Sequence, residues 1–92
     1  MNLDKLLDIV GHRVFVKYYY NFKTFNKDYC ISYMEEDYTD KSKISRTLHA
    51  KTIINKNLAQ EALVKIAKSR RADSETKEAA MQILESEFSC TI

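Results

Sequence analysis

A single glycine and no proline in 92 residues constrain this chain more than any motif does. Glycine and proline punctuate linkers and turns, so no stretch is typical of a linker or a low-complexity tail. A chain of this length lies near the lower limit for a self-sufficient core, and we predict one domain over residues 1–92. One glycine also excludes a glycine-rich phosphate-binding loop.

Four apolar residues near the start predict a short N-terminal helix. They occupy positions i, i+3, i+4 and i+7 of one helical face: Leu3, Leu6, Leu7 and Val10. Asn2 is a suitable N-cap for this helix, and Gly11 stands where a left-handed C′ residue is wanted.

The next segments are rich in β-branched and aromatic residues and predict strands. Residues 12–22 ("HRVFVKYYYNF") and 29–34 ("YCISYM") are separated by a polar turn, which favours an antiparallel β-hairpin. Strand alternation would point Tyr19 away from Tyr18 and Tyr20, towards solvent, a second layer or a partner. The acidic residues 35–40 are predicted to form the loop after the second strand.

Residues 43–54 are ambiguous between strand and helix. Their β-branched content favours a third strand, and a helix remains the alternative. The predicted fold class is therefore α+β: a short N-terminal helix, an antiparallel β-hairpin or three-stranded sheet, and a C-terminal two-helix hairpin packed on the sheet. This order resembles the double-stranded-RNA-binding domain in topology, although only Lys56 stands where that family clusters its lysines.

Two apolar stripes predict the C-terminal helices. The first comprises Leu58, Ala59, Ala62, Leu63, Ile66 and Ala67, and the second comprises Ala79, Ala80, Ile83, Leu84 and Phe88. Asp73 is a natural N-cap for the second helix, and Lys65 and Lys68 lie near the negative end of the first. A helix-turn-helix DNA reader is not expected here, because the second helix is acidic and phosphates would repel it.

Charge is concentrated in the middle of the chain. Residues 41–71 hold nine basic residues and one acid, a local balance of +8, whereas the whole chain carries +2. Cations and hydroxyls bind phosphates, and aromatic side chains interleaved with cations can stack on unpaired bases. The candidate contact residues are Lys43, Arg46, His49, Lys51, Lys56, Lys68, Arg70 and Arg71, with Arg13, Lys17 and Tyr19 from the first predicted strand. The alternative is a solvated face that pairs with the acidic ends of the same molecule.

Catalytic and metal chemistry lack support in the sequence. The two histidines and two cysteines have no zinc-type spacing, so neither a metal nor a cofactor is expected. Cys30 and His49 could form a nucleophile and its base, but the other groups of such a site are not visible. We therefore expect that the protein is not an enzyme.

The sequence predicts a small non-catalytic binding or regulatory protein that uses the basic segment 41–71. Its expected partner is nucleic acid or a nucleic-acid-handling protein complex. The alternative is a phage-type small protein inhibitor or adaptor, for example one resembling anti-defence or anti-CRISPR inhibitors, that binds a host protein complex. A homodimer is plausible for so small a core.

The expected location is the cytoplasm. No apolar run approaches the roughly 18 residues of a membrane span, and the start of the chain lacks the pattern of a signal peptide. Cys30 and Cys90 are accordingly expected to be free thiols rather than a disulfide.

Overall fold

The computed structural model describes residues 1–90, and every regular element in that range is a helix. The helices are α1 (Leu3–Val10), α2 (His12–Lys17), α3 (Tyr19–Thr24), α4 (Lys27–Tyr33), α5 (Asp40–Asn55), α6 (Ala59–Lys68) and α7 (Ser74–Phe88). Residues 1–90 contain no strand, so the predicted α+β class with a hairpin or sheet is wrong. The topological likeness to the double-stranded-RNA-binding domain fails for the same reason.

The N-terminal helix is confirmed together with both of its caps. The Asn2 side chain accepts a hydrogen bond from Lys5 N at 2.9 Å. Gly11 has a φ of +89° and donates its N–H to Leu7 O at 2.7 Å. This backbone angle favours glycine. A Cβ at Gly11 would also lie 3.1 Å from Arg46 Nη1, so the guanidinium would have to shift slightly.

The segment predicted as the first strand forms α2 and α3, because burial overrides β-propensity. Strand alternation would put Tyr18 and Phe22 on the opposite side from Phe15 and Tyr19, yet all four are buried. A helical turn directs both pairs into the same core. Tyr19 is 2% exposed and shares the core with Tyr18, so the prediction that strand alternation points the two in opposite directions is wrong.

The segment predicted as the second strand is α4. Asn26 begins this helix, and its side chain accepts from Tyr29 N at 2.9 Å. Cys30 and Met34 face the core. The acidic residues after α4 form the expected loop, which ends where Asp40 begins α5.

In residues 43–54 the helix alternative holds and the third strand is wrong. Thr39 caps α5 by accepting from Ser42 N at 3.1 Å. The fully buried positions of α5 are Thr47, Ala50 and Ile53. Two of these three are small or polar, so the helical period of the buried face is faint in the sequence.

Both C-terminal helices are confirmed, although they pack on other helices instead of a sheet. Asp73 caps α7 by accepting from Thr76 N at 2.7 Å, and this bond lowers the pKa of the Asp73 carboxyl. Helix α6 packs along α7, α1 packs along α5, and α2 joins the two groups by packing on α7. All seven helices contribute to a single core. None of the helices within residues 1–90 is both long and apolar enough to cross a membrane.

Candidate interaction surfaces

Arg46, a candidate phosphate contact, bonds inside the protein. Its Nη1 donates to Val10 O, the last carbonyl of α1, at 2.8 Å. Its Nε donates to Ser42 Oγ at 3.1 Å, and the guanidinium lies 4.0 Å from the centre of the Tyr38 ring. The terminal carbonyls of a helix lack partners and lie at the negative end of its dipole, so a cation stabilises them.

Lys43 and Lys51, the other two candidate contacts on α5 with a long cationic side chain, also donate to carbonyls at the ends of other helices. Lys51 Nζ donates to Phe22 O at 3.0 Å and also to Phe25 O, at the C-terminal end of α3. Lys43 Nζ donates to Met34 O, the C-cap of α4, at 3.4 Å. The basic side of α5 therefore joins three short helices by their C-terminal ends.

His49 is also engaged within α5. Its Nδ1 donates to Ser45 O at 2.6 Å. Cys30, its possible catalytic partner, donates its Sγ–H to Asn21 O at 3.1 Å, and burial raises the pKa of the thiol. A cysteine nucleophile requires a thiolate. Here the Cys30 thiol and the His49 ring are each hydrogen-bonded to a backbone carbonyl rather than to one another. Within residues 1–90 no group of three or more His, Cys, Asp or Glu is arranged to hold a metal ion.

Lys17, the candidate from α2, pairs with the loop between α4 and α5. Its Nζ lies 2.9 Å from Glu36 Oε2. Tyr18 donates to Glu36 Oε1 at 2.7 Å and accepts from Glu35 N at 3.0 Å. Burial alone would raise the pKa of the Glu36 carboxyl, but the bonds from Tyr18 and Lys17 together hold it below its ordinary value.

The remaining candidate cations are exposed but do not form one surface. Lys56 follows α5, whereas Lys68, Arg70 and Arg71 lie at the far end of α6. The ten residues of α6 span about 15 Å. Arg13 lies apart from both, in a groove that it lines together with Asp73 and Glu75. We call Lys68, Arg70 and Arg71 the basic corner.

A groove of about 470 Å³ runs beside the basic corner, between α1 and α6. Lys68 and Arg71 contribute to its lining, but so do Asp4 and Asp8. The Asp4 carboxylate is 3.1 Å from Lys65 Nζ. The positive charge of this groove is therefore partly neutralised.

The structure reveals an exposed aromatic row that the sequence analysis missed. Phe25, Tyr29 and Tyr33 are 39%, 41% and 51% exposed. Their neighbouring ring centres are 4.4 Å and 4.8 Å apart, and Tyr29 Oη lies 3.2 Å from Tyr33 Oη. We call these three residues the aromatic ladder. Their spacing of i, i+4 and i+8 was available in the sequence. The strand interpretation concealed that Tyr29 and Tyr33 lie one turn apart on α4, with Phe25 just before the N-cap of that helix.

Helix α5 exposes a second apolar pair beside α4. Ile44 and Leu48 lie one turn apart and are both exposed. The bonds of Lys43 to Met34 and of Lys51 to Phe25 make α5 antiparallel to α4. Five of the seven exposed large apolar side chains within residues 1–90 thus lie on or next to these two helices. Clustered exposed apolar residues mark interaction sites more often than singly scattered ones.

The two ends of the aromatic ladder differ in charge. Exposed acids follow Tyr33 in the loop, namely Glu35 and Asp37. Lys17 Nζ lies 2.9 Å from the Glu36 carboxylate and 3.9 Å from that of Glu35, so Glu36 is the more closely paired of the two. At the Phe25 end, the Lys51 ammonium group donates a hydrogen bond to the backbone carbonyl of Phe25.

Comparisons of the chain with protein-family models, with curated proteins and with solved structures find no match.

Proposed function

We propose that the chain is a non-catalytic protein-binding module whose contact face is the aromatic ladder, in the manner of a small inhibitor or adaptor. The observation that carries this proposal is the row of three exposed aromatic side chains in contact with one another, two on α4 and one just before it. Aromatic residues are enriched in the buried centres of protein interfaces, where a few of them supply most of the binding energy.

The charges around the ladder favour a protein over a nucleic acid. The exposed carboxylates of Glu35 and Asp37 follow the Tyr33 end and would repel phosphates. They would attract a protein segment that carries Arg or Lys beside its apolar contacts. The free thiols of Cys30 and Cys90 support our further proposal that this binding takes place in the cytoplasm.

The test is site-specific photo-crosslinking followed by affinity measurement. A Tyr33→p-benzoylphenylalanine variant, irradiated in lysate of the source cells, should form a covalent adduct with a discrete protein, whereas the same replacement at Tyr20 should not. Tyr20 is a matched control because it is 47% exposed but lies outside the ladder.

The identified partner is then purified and titrated calorimetrically with the wild-type chain and with alanine variants. We expect Tyr29→Ala to raise the dissociation constant by roughly 30-fold, as for an interface hot spot of about 2 kcal/mol. Tyr20→Ala should leave the constant within about twofold. Equal effects of the two substitutions would refute the ladder as the contact face.

The basic corner favours a second candidate function, the binding of an anionic macromolecule such as nucleic acid. Lys68, Arg70 and Arg71 are exposed, and none forms an ion pair with any of residues 1–90. Phosphate contacts make affinity fall with salt, with a slope of about −0.9 per contact for duplex DNA in a log–log plot.

Binding to labelled single- and double-stranded DNA and RNA, measured over a range of salt concentrations, tests this candidate. Changing Lys68, Arg70 and Arg71 together to Ala should reduce the slope by about 2 to 3. Lys43→Ala and Lys51→Ala should not change it, since those ammonium groups already bond to carbonyls. Absence of salt-dependent binding by the wild-type chain would eliminate the candidate.

A further inference from the structure

We propose that the protein on the aromatic ladder is a second copy of this chain, docked antiparallel along α4 about a twofold axis through Tyr29. This inference rests on the proposed function, because it names the partner of the same face. Three features of the ladder carry it: its symmetry, the charges at its two ends, and the area that it leaves exposed.

The ladder is symmetric in its spacing. Tyr29 stands at the centre, and Phe25 and Tyr33 lie four residues before and after it, with similar ring separations of 4.4 Å and 4.8 Å. A twofold contact uses the same patch on both copies. It would bring Tyr29 against the partner's Tyr29, and Phe25 against the partner's Tyr33.

The charges favour the antiparallel arrangement. Lys27 follows Phe25, and the Lys51 ammonium group donates to Phe25 O. Glu35 and Asp37 follow Tyr33; Glu35 is 83% exposed, and Lys17 Nζ at 3.9 Å offsets only part of its charge. A twofold axis places each positive end against the partner's negative end, and it also sets the two α4 dipoles antiparallel. Asp28, in the first turn of α4, offsets part of the positive charge. A parallel arrangement would bring like charges together.

The exposed area predicts a weak dimer. Each ladder side chain is about half exposed, so a partner could cover roughly 100 Å² per ring and about 300 Å² in all. Stable interfaces bury about 800 Å² on each side. The ladder alone therefore supports a reversible, concentration-dependent dimer rather than an obligate one.

Sedimentation equilibrium of the purified chain from about 10 µM to about 1 mM measures this directly. The apparent mass should rise from 10.8 kDa towards twice that value. Tyr29→Ala should remain monomeric over the range, and Tyr20→Ala should dimerise like the wild type. Circular dichroism confirms that each variant is folded.

A charge exchange tests the antiparallel register. Lys27→Glu alone and Glu35→Lys alone should each weaken the dimer, because each places like charges across the axis. The double variant Lys27→Glu/Glu35→Lys should restore dimerisation to near the wild-type level, which a merely structural effect of either residue would not produce. Failure of this rescue would overturn the arrangement.

The photo-crosslinking variant at position 33 separates this inference from the proposed function. In the purified chain it should produce a covalent dimer. A wild-type chain that stays monomeric, combined with an adduct to a different protein in lysate, overturns the second copy and leaves the proposed function standing. Absence of any adduct, in purified protein and in lysate, overturns both.

Discussion

Arg46 explains why the cations in the middle of α5 are not a free charged surface. One guanidinium donates to the terminal carbonyl of α1, bonds Ser42 and lies over the Tyr38 ring. Lys43 and Lys51 likewise donate hydrogen bonds to carbonyls at the C-terminal ends of other helices. Short helices leave many terminal carbonyls without partners, so a chain that folds as short helices needs cations inside its structure.

Replacing Arg46 should therefore lower stability. We expect Arg46→Ala to reduce the free energy of unfolding by roughly 2–3 kcal/mol, from a charged hydrogen bond and the contact with Tyr38. Lys41→Ala, an exposed cation on the same helix, should change it by less than about 0.5 kcal/mol. Urea denaturation at pH 7 measures both. Equal stability of the two variants would contradict a capping role for Arg46.

Thr47 presents the opposite case, a buried polar atom without a partner. Its side chain is fully buried, and its hydroxyl forms no hydrogen bond with any of residues 1–90. Thr47→Val keeps the shape and removes the unsatisfied group, so it should stabilise the protein by about 1 kcal/mol. Thr52→Val is the control, since the Thr52 hydroxyl donates to Leu48 O. Thermal unfolding should show a higher Tm for Thr47→Val alone.

Among the elements, the loop between α4 and α5 is held to the C-terminal end of α2 by the Glu36 carboxylate and by the backbone N–H of Glu35, which donates to Tyr18 Oη. Glu36 accepts hydrogen bonds from both Tyr18 and Lys17. Its folded pKa lies below the ordinary value of 4.5, despite the opposing effect of burial. The unfolded chain therefore takes up a proton at this carboxyl at a higher pH than the folded protein does.

This difference predicts how stability changes in acid. The contribution of Glu36 is complete above the ordinary pKa and is lost as pH falls through the lower folded pKa. Glu36→Gln should reduce stability at neutral pH and make stability less dependent on pH below about 4.5. Asp37→Asn is the control, because that side chain is exposed and forms no ion pair with any of residues 1–90. Urea unfolding between neutral and acidic pH distinguishes them, and parallel curves for Glu36→Gln and wild type would refute the effect.

At the scale of the whole molecule, seven short helices depend on one core. Isolated helices of 6 to 10 residues are unstable in water. The five helices other than α5 and α7 have such lengths, so they would not persist if the shared core were lost. Leu7 on α1 is almost fully buried, whereas Leu48 on α5 is 46% exposed. The two positions therefore carry the same side chain and differ in how deeply it is buried.

Substitution of these two leucines tests the single core. Leu7→Ala should cost roughly 2–5 kcal/mol, a large part of the total for a small domain, and the helical circular dichroism signal should disappear in one transition. Leu48→Ala should unfold close to the wild type. Loss of only a fraction of the helical signal in Leu7→Ala would show that α1 is not part of a cooperative unit.

Three of the helices are specified by signals that are local in the sequence. The first helix and the two C-terminal helices follow from apolar stripes and from the caps Asn2, Gly11 and Asp73, all of which the structure confirms. These signals lie within a few residues of the helices that they specify. They hold whatever those helices pack against.

The form of the middle of the chain, and the partners of its charged side chains, depend on how the helices pack together. Residues 12–24 have β-branched and aromatic side chains suited to a strand, but the helical form buries Phe15, Tyr18 and Tyr19 together. The partners of Arg46 and Lys51 lie 36 and 29 residues away. No local pattern encodes such distances, so the sequence shows that the cations are present, and the packing of the helices decides which carbonyls they meet.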